Sequence, residues 1–217
     1  MKAAPYAREL LLAAAVYALA LLVLAAMLAV SARSGLSPGA LSRDVASSAG
    51  VDPLHGLQSH LGVLAWWSAA SVAVFAGWAA RGRALDERPR LLIWLGLLTA
   101  ALAADDQLMV HEALAPYYLG IGERWVVAAY GVVLAAILIR FSAALRAGPG
   151  LPLFASGLGL LALSVLVDLL QERWDSEWRV FVEDGFKLLG IAGWSAYLVG
   201  LAFAVLGTAR VRPVDPG

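Results

Sequence analysis

Long apolar runs separated by short polar breaks set the pattern of this chain. "ELLLAAAVYALALLVLAAMLAV" opens it, and five further runs follow, among them "LLIWLGLLTAALA" and "LGIAGWSAYLVGLAFAVLG". A bilayer core of about 30 Å takes roughly 20 helical residues to cross. On that ruler the runs predict six helices, over residues 9–32, 57–80, 91–111, 124–144, 151–172 and 185–208. Backbone polar groups in lipid must be paired within the chain, so each run is expected as a helix. The one long connector, residues 33–56, is rich in Gly, Ser and Pro and reads as an outer loop with room for a short surface helix. "RGRALDERPR" and "RAGPG" read as tight turns. The expected architecture is all-α: a single transmembrane domain over 1–217, a six-helix bundle.

Composition narrows the classes. Of 217 residues, 61% are hydrophobic and 15% charged, and the mean hydropathy is +0.78. Soluble domains carry about 25% charge. A formal net charge of zero gives no bulk attraction to nucleic acid. With no cysteine, thiolate zinc sites, Fe–S clusters, disulfides and cysteine nucleophiles all drop out. Lys2 and Arg8 precede an apolar run too long for a signal-peptide core, so it reads as a retained first helix.

Alternation of the six spans places Lys2, Arg8, Arg81, Arg83, Arg88, Arg90, Arg140, Arg146, Arg210 and Arg212 on one side. Arg33, Arg43, Arg124, Arg173 and Arg179 fall on the other. Basic residues accumulate in cytoplasmic loops. Both termini are therefore expected in the cytoplasm of a bacterial inner-membrane, multi-pass protein.

That topology gathers most acids, and all three histidines, at the outer face. The stretch "AADDQLMVHE" supplies Asp105, Asp106, His111 and Glu112 at the end of the third span. The fifth span brings Asp168 and Glu172, and the sixth Glu183, Asp184 and Lys187. At 1.5 Å per residue from Arg90, Asp105 and Asp106 lie about 22–24 Å along their helix, still inside the hydrocarbon layer. Ionisable groups at that depth cost several kcal/mol unless paired, and usually face the bundle interior. Asp105 and Asp106 project about 100° apart, so they are not expected to enter one site together. The spacing of Asp105 and Glu112 puts them on one helical face, as it does Asp168 with Glu172 and Glu183 with Lys187.

Two chemistries suit this cluster. Oxygen ligands with an imidazole suit a divalent Zn, Mn or Fe ion, with Asp105, Asp106, His111, Asp168, Glu172 and Asp184 as candidate ligands. In that case Glu112 or Glu183 is the candidate general base for metal-assisted hydrolysis or oxidation at a lipid headgroup. Otherwise the cluster is a network of buried ion pairs, with Lys187 and Arg173 as charge partners of the acids. Membrane lipid, or other membrane subunits, are the expected partners. Cation- or proton-coupled transport, and a non-catalytic role in a larger membrane complex, are the alternative functions. His55 and His60 are five apart, off a common helical face, and read as interfacial. Trp66, Trp67 and Trp194 read as packing. Ser195 has no partnered base at its depth, and Lys187 lies at the wrong depth for a retinal Schiff base.

The runs "LTAALAADDQLMVHE", "LGIGERWVVAAYGVVLAAILIRF", "ALSVLVDLL" and "VEDGFKLLGIAGWSAYLVG" resemble an uncharacterised family of bacterial six-span membrane proteins. Its members carry Asp-Asp and His-Glu at the end of one span and Glu-Asp-Gly at the start of the last. The resemblance covers roughly residues 91–200 and implies a six-span helical fold without assigning an activity. Membrane hydrolases of the alkaline ceramidase type offer an analogy of chemistry only, because this chain lacks the paired histidines of their last helix.

Overall fold

The computed structural model describes residues 4–43, 45–52, 54–82, 86–169 and 177–209. Every regular element among them is helical. The chain forms two compact units, Met1–His55 and Gly56–Gly217.

The first unit contains α1 (Ala4–Ser34), α2 (Pro38–Ser42) and α3 (Val45–Ala49). Ser31 Oγ donates to Leu36 O at 2.6 Å, fastening the end of α1 to the turn that follows. Ser37 caps α2, accepting from the backbone N–H of Ala40, with Pro38 opening the helix. The expected outer loop thus carries two short helices.

The second unit contains α4 (Leu57–Ala79), α5 (Arg88–Leu108), a π-helical segment (Val110–Leu119), α6 (Glu123–Arg140), α7 (Ser142–Ala147), α8 (Leu151–Leu169) and α9 (Glu177–Ala209). α4 packs on α5 and on α9, and α9 packs on α8. Glycines set these crossings. A Cβ on Gly77 would lie 2.5 Å from Pro89 O, and one on Gly96 would lie 2.8 Å from Val74 Cγ2, so α4 and α5 meet backbone to backbone. In the α8–α9 crossing, a Cβ on Gly157 would meet Trp194 N at 2.8 Å, and one on Gly190 would meet Leu161 Cγ at 2.7 Å. Small residues at such seams let apolar helices gain close dispersion contacts. The core between them is Leu91, Leu92 and Leu95 of α5 against Trp194, Leu198 and Leu201 of α9, with Phe154 of α8 stacked on Trp194 and Tyr197.

Large apolar side chains also cover the outside of this unit, including Leu64, Phe75, Trp78, Leu189 and Phe203, all more than half exposed. Water-soluble monomers rarely expose contiguous apolar surface of this kind. Among the described residues, five helical stretches are long and apolar enough to cross a membrane: Ala13–Ser34, Leu57–Ala79, Arg88–Leu108, Leu151–Asp168 and Trp178–Gly207. The pair Val110–Leu119 and Glu123–Arg140, bent by 119°, makes a sixth if it counts as one crossing. Together they suggest a multi-pass membrane protein.

The observed helices depart from the expected bounds, and the first already runs from Ala4 rather than 9. The third helix ends at Leu108 rather than 111, because Met109 takes a left-handed conformation (φ 51°, ψ 46°) and the chain turns. The fourth stops at Arg140, where Phe141 leaves helical geometry and α7 begins. The last is already helical at Glu177, ahead of the expected 185. Residues 170–172 of the expected fifth span lie outside the described residues.

Candidate functional site

One end of the second unit is polar and the other is basic. The polar end combines the start of α4, the end of α5, the π-helical segment and the first turns of α9. The basic end holds the turns with Arg81, Arg88, Arg90, Arg140 and Arg146. There Arg140 donates to both oxygens of Glu87, at 2.7 and 2.9 Å, tying the end of α6 to the start of α5.

At the polar end the adjacent aspartates separate. Asp105 is buried and faces the π-helical segment and α6. Its Oδ1 accepts the backbone N–H of His111 at 3.0 Å and the Tyr130 hydroxyl at 3.4 Å, and its Oδ2 accepts from His111 Nδ1. The carboxylate therefore does the work of a cap. α5 ends at Leu108, the N–H groups after it lose their helical acceptors, and Asp105 reaches over to satisfy one of them. The imidazole is held by Nδ1, and its Nε2 lies 3.5 Å from Glu112 Oε1.

Asp106 faces α9. Its side chain is 8% exposed, and Oδ1 accepts from Lys187 Nζ. Its Oδ2 is buried with no hydrogen-bonding partner among the described residues. This carboxylate lines a small recess together with Gln58 and Ser59 of α4 and Asp184 and Lys187 of α9, above an apolar floor that includes Ile191. Its room is about 10 Å³, enough for the centre of one water-sized body.

A third group joins α8 to α9. Arg179 Nη1 lies 2.5 Å from Glu183 Oε2 and 3.9 Å from Asp168 Oδ1. Glu183 and Asp168 share this one guanidinium. Glu172 and Arg173 lie outside the described residues.

The sequence-predicted residues thus form three paired groups: Asp105 with His111 and Glu112, Asp106 with Lys187 and Asp184, and Asp168 with Glu183 and Arg179. The expectation that Asp105 and Asp106 part company agrees with this geometry. The seven-residue spacing of Asp105 and Glu112 does not act as a helical face, because the helix breaks between them. Among the described residues no three His, Asp or Glu side chains are placed to hold a metal ion together. Among the described residues Asp105 is engaged by the imidazole and Asp106 by the ammonium of Lys187.

Sequence reasoning missed Tyr130, Gln58, Ser59 and Thr99. Tyr130 and Thr99 were visible as lone hydroxyls inside apolar runs, "AAYGVV" and "LLTAAL". His55 sits in a turn where Asp52 Oδ1 accepts from Leu54 N at 2.9 Å, and His60 is exposed on the first turn of α4. Trp66 and Trp194 are buried in the core, as packing requires, whereas Trp67 is 41% exposed.

A family model described as "Domain of unknown function (DUF8692)" matches residues 10–201, and the chain belongs to this family. No curated protein and no solved structure matches it.

Proposed function

We propose that the chain is a multi-pass protein of a bacterial inner membrane, with both termini in the cytoplasm, and that its polar end binds a lipid headgroup. Asp106 carries the reading. A carboxylate buried beside a lysine normally has every lone pair engaged, because an unpaired buried acceptor costs about 1–3 kcal/mol. Here Oδ2 has no partner among the described residues, and its residue lines a recess with further polar side chains from α4 and α9. Such a residue is a place where a ligand's donor completes the set.

The rest of the bundle supports binding over passage. Toward the basic end, Leu91, Leu92, Leu95, Leu198 and Leu201 fill the space between α5 and α9, each fully buried. Among the described residues this stretch of the α5–α9 contact carries no ionisable side chain, which supports binding at the polar end. The arginine-rich turns at that end favour a cytoplasmic position for it, which turns the recess outward.

A second reading has its own observation. Lys187 to Asp106 and Arg179 to Glu183 and Asp168 are the pairings that would lock helices in a non-catalytic subunit. One experiment decides between the two. Purified in mild detergent, the wild type should retain bound phospholipid. The double variant Asp106→Leu/Lys187→Met, which keeps an apolar contact between the helices, should lose it while staying folded. Equal lipid content in both proteins would leave only the helix-locking role.

A further inference from the structure

The recess is specific about what it can accept, and this inference rests on the headgroup reading above. Three formal charges line it: Asp106 and Asp184 negative, Lys187 positive. The surplus is one negative charge. Lys187 already spends its contact on Asp106 Oδ1, which leaves Oδ2 of the same carboxylate without a partner among the described residues. Asp184, Ser59 and Gln58 add further oxygen acceptors around the same space. Its room admits one water-sized body.

We propose that this recess, built by Asp106, Asp184 and Ser59, takes the primary ammonium group of an amine-bearing headgroup. A primary ammonium has three N–H donors, a single positive charge and about the size of a water molecule. Those properties meet the unpartnered oxygen, the charge surplus and the volume together. A trimethylammonium group fails on two counts, having no N–H to donate and three methyl groups to place. A phosphate or a glycerol tip fails on charge or leaves the surplus uncompensated. A divalent ion overshoots the surplus of one charge, and Lys187 repels it twice as strongly as it repels a single ammonium charge.

The test uses the full chain in detergent, with native mass spectrometry in equimolar mixtures of diacyl lipids that differ only in headgroup: ethanolamine, choline or glycerol. Free ethanolamine in a separate arm distinguishes a soluble amine from a lipid. The ethanolamine lipid should be retained about tenfold over the choline lipid, as one charge-assisted hydrogen bond implies. That preference should collapse in Asp184→Asn, which leaves the Asp106–Lys187 pair intact, and fall in Ser59→Ala. Free ethanolamine should compete. Equal retention of ethanolamine and choline lipids, or a preference unchanged in Asp184→Asn, overturns the proposal while leaving headgroup binding in place. Retention of no lipid of any kind, with no effect of free ethanolamine, overturns both. Binding of free ethanolamine alone keeps the ammonium site and removes the lipid.

Discussion

Trp194 of α9 donates its indole N–H to Thr99 Oγ1 of α5 at 2.9 Å, and both side chains are buried. The direction is forced, because an indole nitrogen can only donate. Thr99 in turn gives its hydroxyl proton to Leu95 O at 2.7 Å, one helical turn back. Three residues on two helices thus form a polar chain inside an apolar core. Thr99→Val keeps the shape and removes the acceptor. It should cost about 1–3 kcal/mol, the penalty of an unpaired buried donor, whereas Thr99→Ser should cost far less. Thermal unfolding in detergent reads the difference, and the indole N–H resonance of Trp194 should move in the first variant alone. Equal stability of the two variants would mean that the bond contributes nothing to the α5–α9 contact.

The α8–α9 seam gives a sharper contrast on one helix. A Cβ at Gly157 meets backbone of α9 under 3.0 Å, whereas a Cβ at Gly159 meets nothing within 4 Å. Backbone cannot turn aside as a side chain can. Gly157→Ala should therefore destabilise by about 1–3 kcal/mol through overpacking. Gly159→Ala should be neutral or gain up to about 1 kcal/mol from helix propensity. Unfolding midpoints of the two variants, measured side by side, check this. Similar losses at both positions would contradict the crossing geometry.

Lys187 and Asp106 make the cross-helix pair at the polar end, and its two halves are unequally protected. The carboxylate is the more buried. Removing the lysine alone strands a charge, and Lys187→Met should cost about 3 kcal/mol, at the low end for a broken buried pair because Lys187 remains partly exposed. Replacing both partners with apolar residues should recover most of that loss. A double-mutant cycle on unfolding free energy tests it, and additive single and double effects would deny the coupling.

The apolar runs made most of this fold legible, because lipid leaves helices as the only economical way to pair the backbone. The break after α5 was not legible. "DDQLMVHE" contains neither Pro nor Gly, and Met109 adopts positive φ without the usual residue to excuse it. Its compensation is the Asp105 carboxylate on His111, a contact that only folding reveals. Likewise the 100° offset of Asp105 and Asp106 was readable from helical geometry. That Asp106 meets Lys187 depends on α9 packing across α4 beside α5, and spacing within one helix carries no such information. Ser59 and Gln58 escaped notice because they look like ordinary residues of a helix's first turn.

The Asp105 cap predicts a local effect. Asp105→Ala removes the acceptor for the backbone N–H of His111 and frees the imidazole at Nδ1. Amide exchange at residues 110–114 should accelerate by about tenfold or more, since one charge-assisted hydrogen bond is lost. Exchange in the middle of α5, around Leu95, should not change. Asp105→Asn, which still presents an oxygen acceptor, should show a smaller effect. Uniform acceleration along α5 would instead mean that Asp105 stabilises the whole helix and not its break.

At the opposite end, Glu87 lies outside the spans and its carboxyl is held below the usual glutamate range. The Arg140 hydrogen bond is the main cause, with the charges of Arg140 and Arg90 adding to it. The sign of the linkage follows. A depressed folded-state pKa gives stability that is fully present above the ordinary glutamate value of about 4.3 and is lost as pH falls through the folded value. Wild type and Arg140→Gln should differ by a constant unfolding midpoint from pH 7 down to about 5, and the gap should close in more acidic buffer. Carbon-13 chemical shifts of the Glu87 carboxyl should titrate at lower pH in wild type than in Arg140→Gln. A gap that persists after the carboxyl is protonated would assign the effect of Arg140 to its packing over the Phe141 ring, 4.9 Å from the guanidinium carbon, rather than to Glu87.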